Sequence, residues 1–589
     1  MKNRTSLLWS AVGVLAVVGV WACSNEVNEG PTSVTTPGAR TNPGDFPGID
    51  DVSENLAQLA SACSFTADGG VVAINLAAGE YALIARGSLN DGGQSLSVNG
   101  TPCGNATPTS ATRINITSAA DGGSETVIID YLGGTFALGS ASSVGINVDL
   151  KNGASDSLKI RGSSGVDNVL LATTTADAGS NGVYTVAVGI SGVTNPGTKA
   201  ISFTGVEALV VSTGPGADVV RTAGQADAGV GGTPFGRTLS GTGPTLTFYG
   251  GDDADTLNAG ATKVGSAVTF SGGAGSDTAD YSSRTIDLSC TIGGGAVCGE
   301  SSENTTINTD VEVFNGGSGN DTIVCAAAAV CTVAGNAGND TITGGDFDDT
   351  LAGGAGDDVI TPKGGTDTVT CGDETDTISY SDRSADITVA LGTGVAAAAS
   401  NGDPAYALAD GGTVAENDSV AACENIIGGS GDDTLTGNNF DNVITGGAGG
   451  DTLSGGTGND TFLMGAASDG DDVIDGQGGE DTVSYASRSN TLDLTLNTST
   501  ATTGNGEGSE DDSIVNVENL ICGGGADNVT GDSANNRIEG GGGNDTIDSS
   551  TGDDVIDPGA GTNTVTCGGG SDILLPGGTT TNAAADCEN

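Results

Sequence analysis

Histidine is absent from the 589 residues of this sequence. Its absence excludes Ser-His-Asp and Cys-His nucleophilic sites and the histidine-bearing zinc sites of metalloproteases. Aromatic residues are also scarce, at 4%, and the apolar fraction is only 36%. A conventional globular core is therefore not expected, and most enzyme classes that depend on those sites are disfavoured.

Basic residues are few as well. The chain has 17 Lys and Arg residues against 75 Asp and Glu residues, which gives a formal net charge of -58 at pH 7. Such a charge repels nucleic acid phosphates and anionic lipid surfaces, so cations are the natural partners. Low hydrophobicity combined with high net charge usually produces disorder. An ordered state therefore needs another source of stability, and bound metal is the obvious candidate.

Long apolar stretches are missing beyond the N-terminus. Lys2 and Arg4 precede an apolar run over residues 7–22, which is short for a membrane span of about 20 residues. The run ends in Val20-Trp21-Ala22-Cys23, which resembles the lipobox of a lipoprotein signal peptide, although Trp21 departs from the usual small residue. We predict lipidation at Cys23. The alternatives are a plain secretory signal and an uncleaved anchor.

The cysteines indicate disulfides rather than a metal site. Eleven cysteines remain if Cys23 is lipidated, and an exported location permits disulfides. Their spacing lacks the tight two-plus-two pattern of a zinc site. Proximity in sequence suggests that Cys522 stays single and that the pairs are Cys63 with Cys103, Cys290 with Cys298, Cys325 with Cys331, Cys371 with Cys423, and Cys567 with Cys587.

Glycine, with 102 residues, is the most conspicuous component, and much of it follows a nine-residue period. The clearest copy is GGSGNDTIV at 316–324, and copies in register begin at 335, 344, 353, 362 and 371. Further runs begin at 428, 437, 446 and 455, at 467 and 476, and at 522, 531, 540, 549, 558 and 567. A fixed period of this kind is the signature of a repeat architecture.

A larger module overlies the nonapeptides. Each array is followed by a Tyr-x-x-Arg element and by a less regular excursion that ends in a glutamate-containing lead-in. Because the Tyr and Arg recur at the same modular place, we interpret them as structural rather than as a ligand contact. The elements are Tyr281 with Arg284, Tyr380 with Arg383, and Tyr485 with Arg488, and the lead-ins contain Glu312, Glu424 and Glu518.

These features predict seven segments. Residues 24–55 are rich in Pro, Thr, Asn and Gly, as expected of a flexible tether. Residues 56–207 contain short β-rich runs such as VVAINL and SLKIRG, and we interpret them as all-β, a degenerate start to a solenoid. The predicted segments are 1–23 signal peptide, 24–55 tether, 56–207 N-terminal β-rich region, 208–315 first degenerate array, 316–427 second array, 428–521 third array, and 522–589 C-terminal array and cap.

The consensus Gly-Gly-x-Gly-x-Asp-x-U-x, where U is a large aliphatic residue, is similar to the calcium-binding nonapeptide of the repeats-in-toxin (RTX) family. The resemblance covers about 210 to 575, with a looser copy near Asp167. It implies an all-β fold, a parallel β-roll or β-solenoid, that binds multiple Ca2+ ions. The haemolytic activity associated with the family name is not expected, because no long apolar helical stretch indicates a pore-forming module.

The copy GGAGDDVIT at 353–361 shows the chemistry of the pattern. Gly353, Gly354 and Gly356 allow positive φ and are expected to bring backbone carbonyls together where a Cβ would obstruct them. Asp358, at the sixth place, adds a hard carboxylate of the type that Ca2+ prefers. Ile360, at the eighth place, is expected to point into the core.

Two nonapeptides are expected to form one coil of eighteen residues, so that copies two apart stack about 4.8 Å from one another. Asp340, Asp358 and Asp376 then line one edge, and Asp349 and Asp367 line the other. The resemblance implies one Ca2+ between each vertically adjacent pair of turns. The predicted metal ligands are Asp255, Asp277, Asp321, Asp340, Asp349, Asp358, Asp367, Asp376, Asp433, Asp451, Asp460, Asp472, Asp481, Asp527, Asp545, Asp554 and Asp572.

Some copies depart from the pattern. Asn442, Asn536 and Asn563 replace the sixth-place aspartate, which keeps an oxygen but loses the charge, so we expect weaker sites there. The copy that begins at Cys325, CAAAAVCTV, has neither glycine nor aspartate, and we assign no ion to it.

Two functions remain open. The first is a non-catalytic calcium-binding lipoprotein of the outer membrane or cell surface, or an extracellular protein, that serves adhesion or envelope structure through a surface protein or polysaccharide partner. The second is a polysaccharide lyase or epimerase-like enzyme in the N-terminal β region. Its sparse candidate residues are Lys151, Lys159, Arg161 and Tyr184.

Overall fold

The computed structural model describes the chain with gaps. The described residues are 63–66, 71–77, 80–86, 96–98, 101–103, 106, 113–118, 124–130, 146–151, 155–162, 167–173, 184–190, 200–222, 233–234, 245–261, 267–293, 297–327, 329–392, 397–398, 406–407, 413–414, 418–497, 506–508, 510–581 and 587–588. Cys23 and the tether lie outside them. Within the described residues, no helix is long and apolar enough to cross a membrane.

The described residues form short β-strands. The strands before the arrays are β1 Cys63–Thr66, β2 Val71–Leu76, β3 Tyr81–Arg86, β4 Leu96–Val98, β5 Thr101–Pro102, β6 Arg113–Ser118, β7 Thr126–Asp130, β8 Ile146–Asp149, β9 Ser157–Arg161, β10 Asp167–Thr173, β11 Tyr184–Ile190, β12 Ala200–Thr204, β13 Ala208–Ser212, β14 Val219–Arg221 and β15 Thr233–Pro234. The next are β16 Thr245–Asp252, β17 Thr256–Asn258, β18 Val268–Ala274, β19 Thr278–Asp280, β20 Ser289–Ile292, β21 Val297–Cys298, β22 Thr305–Ile307, β23 Val313–Asn315, β24 Thr322–Cys325, β25 Thr332–Ala337, β26 Thr341–Thr343, β27 Thr350–Ala355, β28 Val359–Thr361, β29 Thr368–Asp373, β30 Thr377–Ser379, β31 Thr388–Ala390, β32 Ala397–Ala398, β33 Tyr406–Ala407, β34 Thr413–Val414 and β35 Ser419–Ala421. The last are β36 Asn425–Ile427, β37 Thr434–Thr436, β38 Val443–Thr445, β39 Thr452–Thr457, β40 Thr461–Leu463, β41 Val473–Gly478, β42 Thr482–Ser484, β43 Leu492–Thr495, β44 Gly506–Glu507, β45 Ser513–Val515, β46 Asn519–Ile521, β47 Asn528–Thr530, β48 Arg537–Glu539, β49 Thr546–Asp548, β50 Val555–Asp557, β51 Thr562–Thr566, β52 Asp572–Leu574, β53 Thr579–Thr581 and β54 Cys587–Glu588.

The strands of the arrays stack in parallel with the expected register. Ile342 of β26 pairs with Ile360 of β28, eighteen residues later, and Ile360 pairs with Ile378 of β30. These side chains are fully buried, whereas Val359, the neighbour of Ile360, faces outward. The middle residue of these three strands therefore fills the core, as predicted for Ile360. The prediction of a parallel β-solenoid is confirmed.

The solenoid changes one of its two faces at each Tyr-x-x-Arg element. After Tyr281 and Arg284, β20 starts a 14-stranded sheet, and β22 is the last strand of the 10-stranded sheet in chain order. After Tyr380 and Arg383, β31 starts a 5-stranded sheet, and β35 is the last strand of the 17-stranded sheet. After Tyr485 and Arg488, β43 starts a 6-stranded sheet, and β45 ends the 5-stranded one. Each element thus marks the point where a new sheet replaces an old one.

The N-terminal β-rich region belongs to the same solenoid. Strands β7, β9, β13 and β16 pair in parallel in consecutive order, and β6, β8 and β12 do so in another sheet. The interpretation of this region as an all-β start to the solenoid is therefore correct. The segment boundaries themselves stay predictions.

All five expected cysteine pairs form disulfides. They are Cys63–Cys103, Cys290–Cys298, Cys325–Cys331, Cys371–Cys423 and Cys567–Cys587. Cys522 is buried and free, as predicted. The Cys325–Cys331 bridge closes the one turn that has neither glycine nor aspartate, so a covalent bond stabilises this turn where the repeat offers no metal ligand.

Candidate metal centre

The sixth-place aspartates form continuous hydrogen-bonded columns along the solenoid. The backbone N–H of Asp340 donates to Oδ1 of Asp358 at 2.7 Å, and the N–H of Asp358 donates to Oδ1 of Asp376 at 2.8 Å. On the opposite edge, the N–H of Asp349 donates to Oδ1 of Asp367 at 2.7 Å. The two edges predicted from the eighteen-residue coil are therefore present, with each aspartate next to the one in the following coil.

The second carboxylate oxygen has no such partner in much of each column. Oδ2 of Asp340, Asp358 and Asp376 is buried, and no donor reaches it among the described residues. A buried carboxylate oxygen without a hydrogen bond or a counter-charge is costly, so this atom is poised to bind a cation. The aspartates that share this arrangement are Asp255, Asp277, Asp340, Asp358, Asp376, Asp460, Asp481, Asp545 and Asp572.

Backbone carbonyls converge on the same oxygen. A Cβ added at Gly335 would lie less than 3.0 Å from Oδ2 of Asp340 and 2.7 Å from the carbonyl oxygen of Gly353 in the next coil. A Cβ at Gly353 would likewise meet Oδ2 of Asp358 and, at 2.5 Å, the carbonyl oxygen of Cys371. At these two positions the missing side chain of the first-place glycine leaves room for the two oxygens that border it.

The three glycines of this repeat do not share one backbone conformation. Gly354 and Gly356 have positive φ, at 129° and 121°, but Gly353 is not among the residues with positive φ. Gly353 is needed for the close approach of oxygens rather than for an unusual backbone conformation.

The electrostatics of the columns favour a cation. Burial and, to a smaller extent, neighbouring carboxylates raise the pKa of Asp340 and Asp376 to about 7, although the N–H of the preceding aspartate opposes the shift. The same causes raise the pKa of Asp255 and Asp472 to about 8. Carboxylates this close repel one another, and a divalent ion between them removes that repulsion.

The donor set is one that Ca2+ accepts. In the described part of the chain, no three Asp, Glu or Cys side chains gather at one metal-sized point. An ion in these columns would therefore be bound by stacked single carboxylates together with backbone carbonyls. Ca2+ takes six to eight oxygen ligands of both kinds in flexible geometry. The residues present fit calcium.

Comparison with protein families agrees with this geometry. The model of the RTX calcium-binding nonapeptide repeat, in four copies, matches residues 247–262, 308–324, 334–369, 427–462, 466–492, 523–556 and 546–574. The chain carries RTX calcium-binding repeats over these residues. Its RTX repeats form a calcium-binding scaffold of a kind that is generally structural and that typically occurs in secreted proteins. No curated protein matches the chain.

The sixth-place carboxylates of the RTX repeats differ in their hydrogen bonds according to their position in the column. Oδ2 of Asp321, Asp349 and Asp433 accepts the N–H of the second residue of its own repeat, at 2.8, 2.6 and 2.7 Å. Each of these aspartates is the first of its column: Oδ1 of Asp321 and of Asp433 accepts the N–H of Leu288 and Ile387, and Oδ1 of Asp349 accepts that of Cys331. The first carboxylate of a column is thus partly satisfied by protein donors.

The asparagines stand in the columns at the expected places. Asn442 donates its N–H to Oδ1 of Asp460, and its amide donates to the carbonyl of Glu424 at 2.6 Å. The N–H of Asp545 donates to Oδ1 of Asn563. The amide of Asn442 occupies a carbonyl oxygen that could otherwise bind metal, which agrees with the expectation of a weaker site. The weaker binding itself stays a prediction.

Several column members are not evident from the nonapeptide pattern. Glu312, Glu424 and Glu518 accept the N–H of the last aspartate of a column, so the lead-in glutamates substitute for a sixth-place aspartate. Asp418 and Asp512 end the columns of Asp367 and Asp472. Asp218 precedes Asp255 and accepts the N–H of Asp167 at 2.5 Å. Its signal was the copy TGPGADVVR at 213–221, which has aspartate at the sixth place.

The candidate residues of an N-terminal enzyme site do not share one sheet. Lys159 and Arg161 belong to β9 in the 10-stranded sheet, whereas Tyr184 belongs to β11 in the 17-stranded sheet. Lys151 follows β8 of that second sheet and pairs with Asp149 at 3.0 Å. Arg161 lies 3.6 Å from Asp130. The four residues are distributed over two sheets, and Lys151 and Arg161 form ion pairs.

Proposed function

We propose that the sixth-place aspartates bind a series of Ca2+ ions between successive coils. The proposed ligands are the seventeen aspartates from Asp255 to Asp572 that the nonapeptide pattern identifies. The observation that carries the proposal is the convergence of a buried Oδ2 that lacks a donor among the described residues with the carbonyl oxygen of the next coil, as at Asp340 and Gly353. When bound, calcium supplies the positive charge that stacked carboxylates need, so that metal binding and folding are coupled.

Within this proposal the residues of the repeat have separate tasks. Oδ1 of Asp358 fixes the register by accepting the N–H of Asp340, which leaves Oδ2 as the metal ligand. Ile360 anchors the turn in the core. Gly353 leaves the space in which the oxygens meet.

The test compares two adjacent aspartates. Asp358→Ala removes the buried ligand, whereas Asp357→Ala removes an exposed carboxylate whose Oδ1 accepts the N–H of Thr375 at 3.2 Å. Equilibrium dialysis of the full chain with 45Ca2+ should show fewer bound ions for Asp358→Ala and an unchanged number for Asp357→Ala. Equal stoichiometry in both variants and the wild type would contradict the assignment.

We further propose that the chain is exported as a lipoprotein through Cys23 and serves as a calcium-stiffened scaffold in adhesion or envelope structure. The signal-like N-terminus and the long repeat array support this. Growth with a labelled fatty acid should label the wild type and leave Cys23→Ser unlabelled. Labelling that survives Cys23→Ser excludes a lipid anchor on this cysteine.

A further inference from the structure

Each Tyr-x-x-Arg element lies one coil beyond the last repeat turn that precedes a sheet exchange. Strand β40 is followed by the turn that begins at Met464, and β42, its parallel neighbour, is followed by Tyr485. The N–H of Met464 donates to the carbonyl of Ser484, and the hydroxyl of Ser487 donates to the carbonyl of Met464. The element therefore occupies the position at which the next glycine-rich turn would stack.

Arg488 points from this element into the turn that precedes it. Its Nε donates to the carbonyl of Gly465 at 2.7 Å, and Nη2 donates to Oδ1 of Asp469. Nη1 donates to Oε2 of Glu510 at 2.8 Å and lies 3.4 Å from Oε2 of Glu507. Oδ2 of Asp469 accepts the N–H of Gly465, four residues earlier. Asp321, a sixth-place aspartate, accepts the N–H of Gly317 in the same way. The guanidinium thus contacts the carboxylate and carbonyl oxygens of a repeat turn.

We call each point where a new sheet replaces an old one a boundary. Arg284 makes similar contacts at the first boundary. Its Nε donates to the carbonyl of Gly260 at 2.6 Å, and Nη2 donates to that of Ala259 at 3.2 Å. Nη1 donates to Glu300 at 2.7 Å and to Glu303 at 3.1 Å, and Nη2 donates to Glu303 at 2.9 Å. Every N–H of this fully buried guanidinium is therefore used by an oxygen.

The second boundary has the same central contact. Nη2 of Arg383 donates to the carbonyl of Lys363, and Arg383 is buried. Gly260, Lys363 and Gly465 all occupy the second place after the strand that precedes the turn. Each guanidinium also lies over the ring of its own tyrosine, with Cζ 5.5 to 5.9 Å from the ring centroid. The three arginines therefore donate to the same carbonyl of three equivalent turns, Arg284 and Arg488 through Nε and Arg383 through Nη2.

We propose that these arginines are built-in cations that occupy, at each of the three sheet exchanges, the place that Ca2+ takes between turns inside the arrays. A guanidinium is charged at every physiological pH, and its fork bonds to several oxygens at once. The oxygens that it meets are of the same two classes as those of the metal sites. The boundaries therefore stay ordered without calcium, while at neutral pH the arrays between them order only when calcium is bound.

The test is hydrogen exchange of the full chain in chelator and in excess Ca2+. In chelator, wild-type peptides of the boundary, 459–469 and 484–490, should exchange on the order of tenfold more slowly than array peptides from 335–361. Arg488→Met should abolish that protection in chelator, and Ca2+ should restore it because Asp469, Glu507 and Glu510 become free to bind metal. Arg488→Lys, which retains the charge, should keep most of the protection. Arg537→Met serves as the control because Arg537 is exposed and pairs only with Glu539 in the described residues.

The outcomes separate this proposal from the calcium proposal on which it partly rests. Boundary peptides that exchange as fast as array peptides in wild-type protein without calcium overturn it, even if the arrays bind calcium as proposed. The proposal is also overturned if Arg488→Met leaves the protection in chelator unchanged. It is overturned as well if the variant folds in Ca2+ but Ca2+ does not restore the protection, because Arg488 then contributes only to packing. If Arg488→Met does not fold even in Ca2+, the wild-type comparison decides.

Discussion

The hydroxyl of Tyr485 donates to Oδ2 of Asp512 at 2.6 Å, and both residues are buried. Asp512 is the last aspartate of its column, because it accepts the N–H of Asp472, and Tyr485 begins the element that starts the next sheet. Tyr380 makes the same bond to Asp418 at 3.1 Å. The tyrosine thus satisfies the terminal carboxylate of the sheet that ends, while the neighbouring arginine contacts its last turn.

Removal of this hydroxyl should destabilise the calcium-loaded protein. Tyr485→Phe loses a hydrogen bond to a buried carboxyl, which is worth about 1.5–3 kcal/mol. Thermal unfolding in saturating Ca2+ should show a lower midpoint for Tyr485→Phe, and Tyr249→Phe, at a half-buried ring of β16, should have little effect. In the double variant with Asp512→Asn, the decrease in the unfolding midpoint should be smaller than the sum of the decreases in the two single variants. Strict additivity would show that the two residues do not interact.

A single methyl group at the first place of a repeat should damage its metal site. Gly353→Ala places a Cβ less than 3.0 Å from Oδ2 of Asp358 and 2.5 Å from the carbonyl oxygen of Cys371. Such overpacking costs about 1–3 kcal/mol, so more Ca2+ should be needed to reach half-maximal folding. Gly569→Ala is the control because its Cβ would contact only Cγ2 of Thr551, at 3.8 Å. An equal effect of the two substitutions in a Ca2+ titration contradicts the role given to Gly353.

The metal-free protein should be more ordered in acid than at neutral pH. The pKa values of Asp340 and Asp376 are raised to about 7 in the fold, and those of Asp255 and Asp472 to about 8, from an ordinary value near 3.8. A raised pKa means that the folded state takes up protons more readily than the unfolded chain. The stabilisation that these carboxyl groups give to the folded state is therefore complete below about pH 4, and it is lost as the pH rises to about 8.

This pH dependence can be measured by circular dichroism in chelator from pH 4 to pH 9. The β signal should fall as the pH rises, whereas saturating Ca2+ should remove most of the dependence. Calcium binding near pH 6 should also release protons, because metal and proton compete for the same oxygens. A β signal in chelator that rises with pH would contradict the expected direction of the dependence.

The nine-residue period, together with the resemblance to RTX repeats, was sufficient to predict the solenoid, the eighteen-residue coil and the two edges of aspartates, because the repeat spacing is local. The sheet exchanges were not predictable in this way. Asp367 meets Asp418 across 51 residues, and Asp472 meets Asp512 across 40, since an irregular excursion separates them. The sequence shows that Tyr485 and Arg488 recur in the modules, but only the fold shows which turn the arginine meets.

The nonapeptide pattern also suggests that the seventeen aspartates are equivalent, but their hydrogen bonds differ. Asp321 and Asp340 occupy the same place in their repeats, yet Oδ2 of Asp321 accepts the N–H of Gly317, while Oδ2 of Asp340 has no donor among the described residues. The difference arises from the coil that precedes each one, which contributes Leu288 in the first case and Asp321 in the second. Position within a column is a property of stacking, and a single nonapeptide does not contain it.

A calcium titration of chelator-stripped full-length protein, followed by far-ultraviolet circular dichroism, tests the central claim most directly. We expect a cooperative gain of β signal at about 0.1–1 mM Ca2+, the range of extracellular calcium modules, with little response to Mg2+. A stripped sample that retains its complete β signal and takes up no calcium would contradict the claim that stacked carboxylates need divalent ions between them.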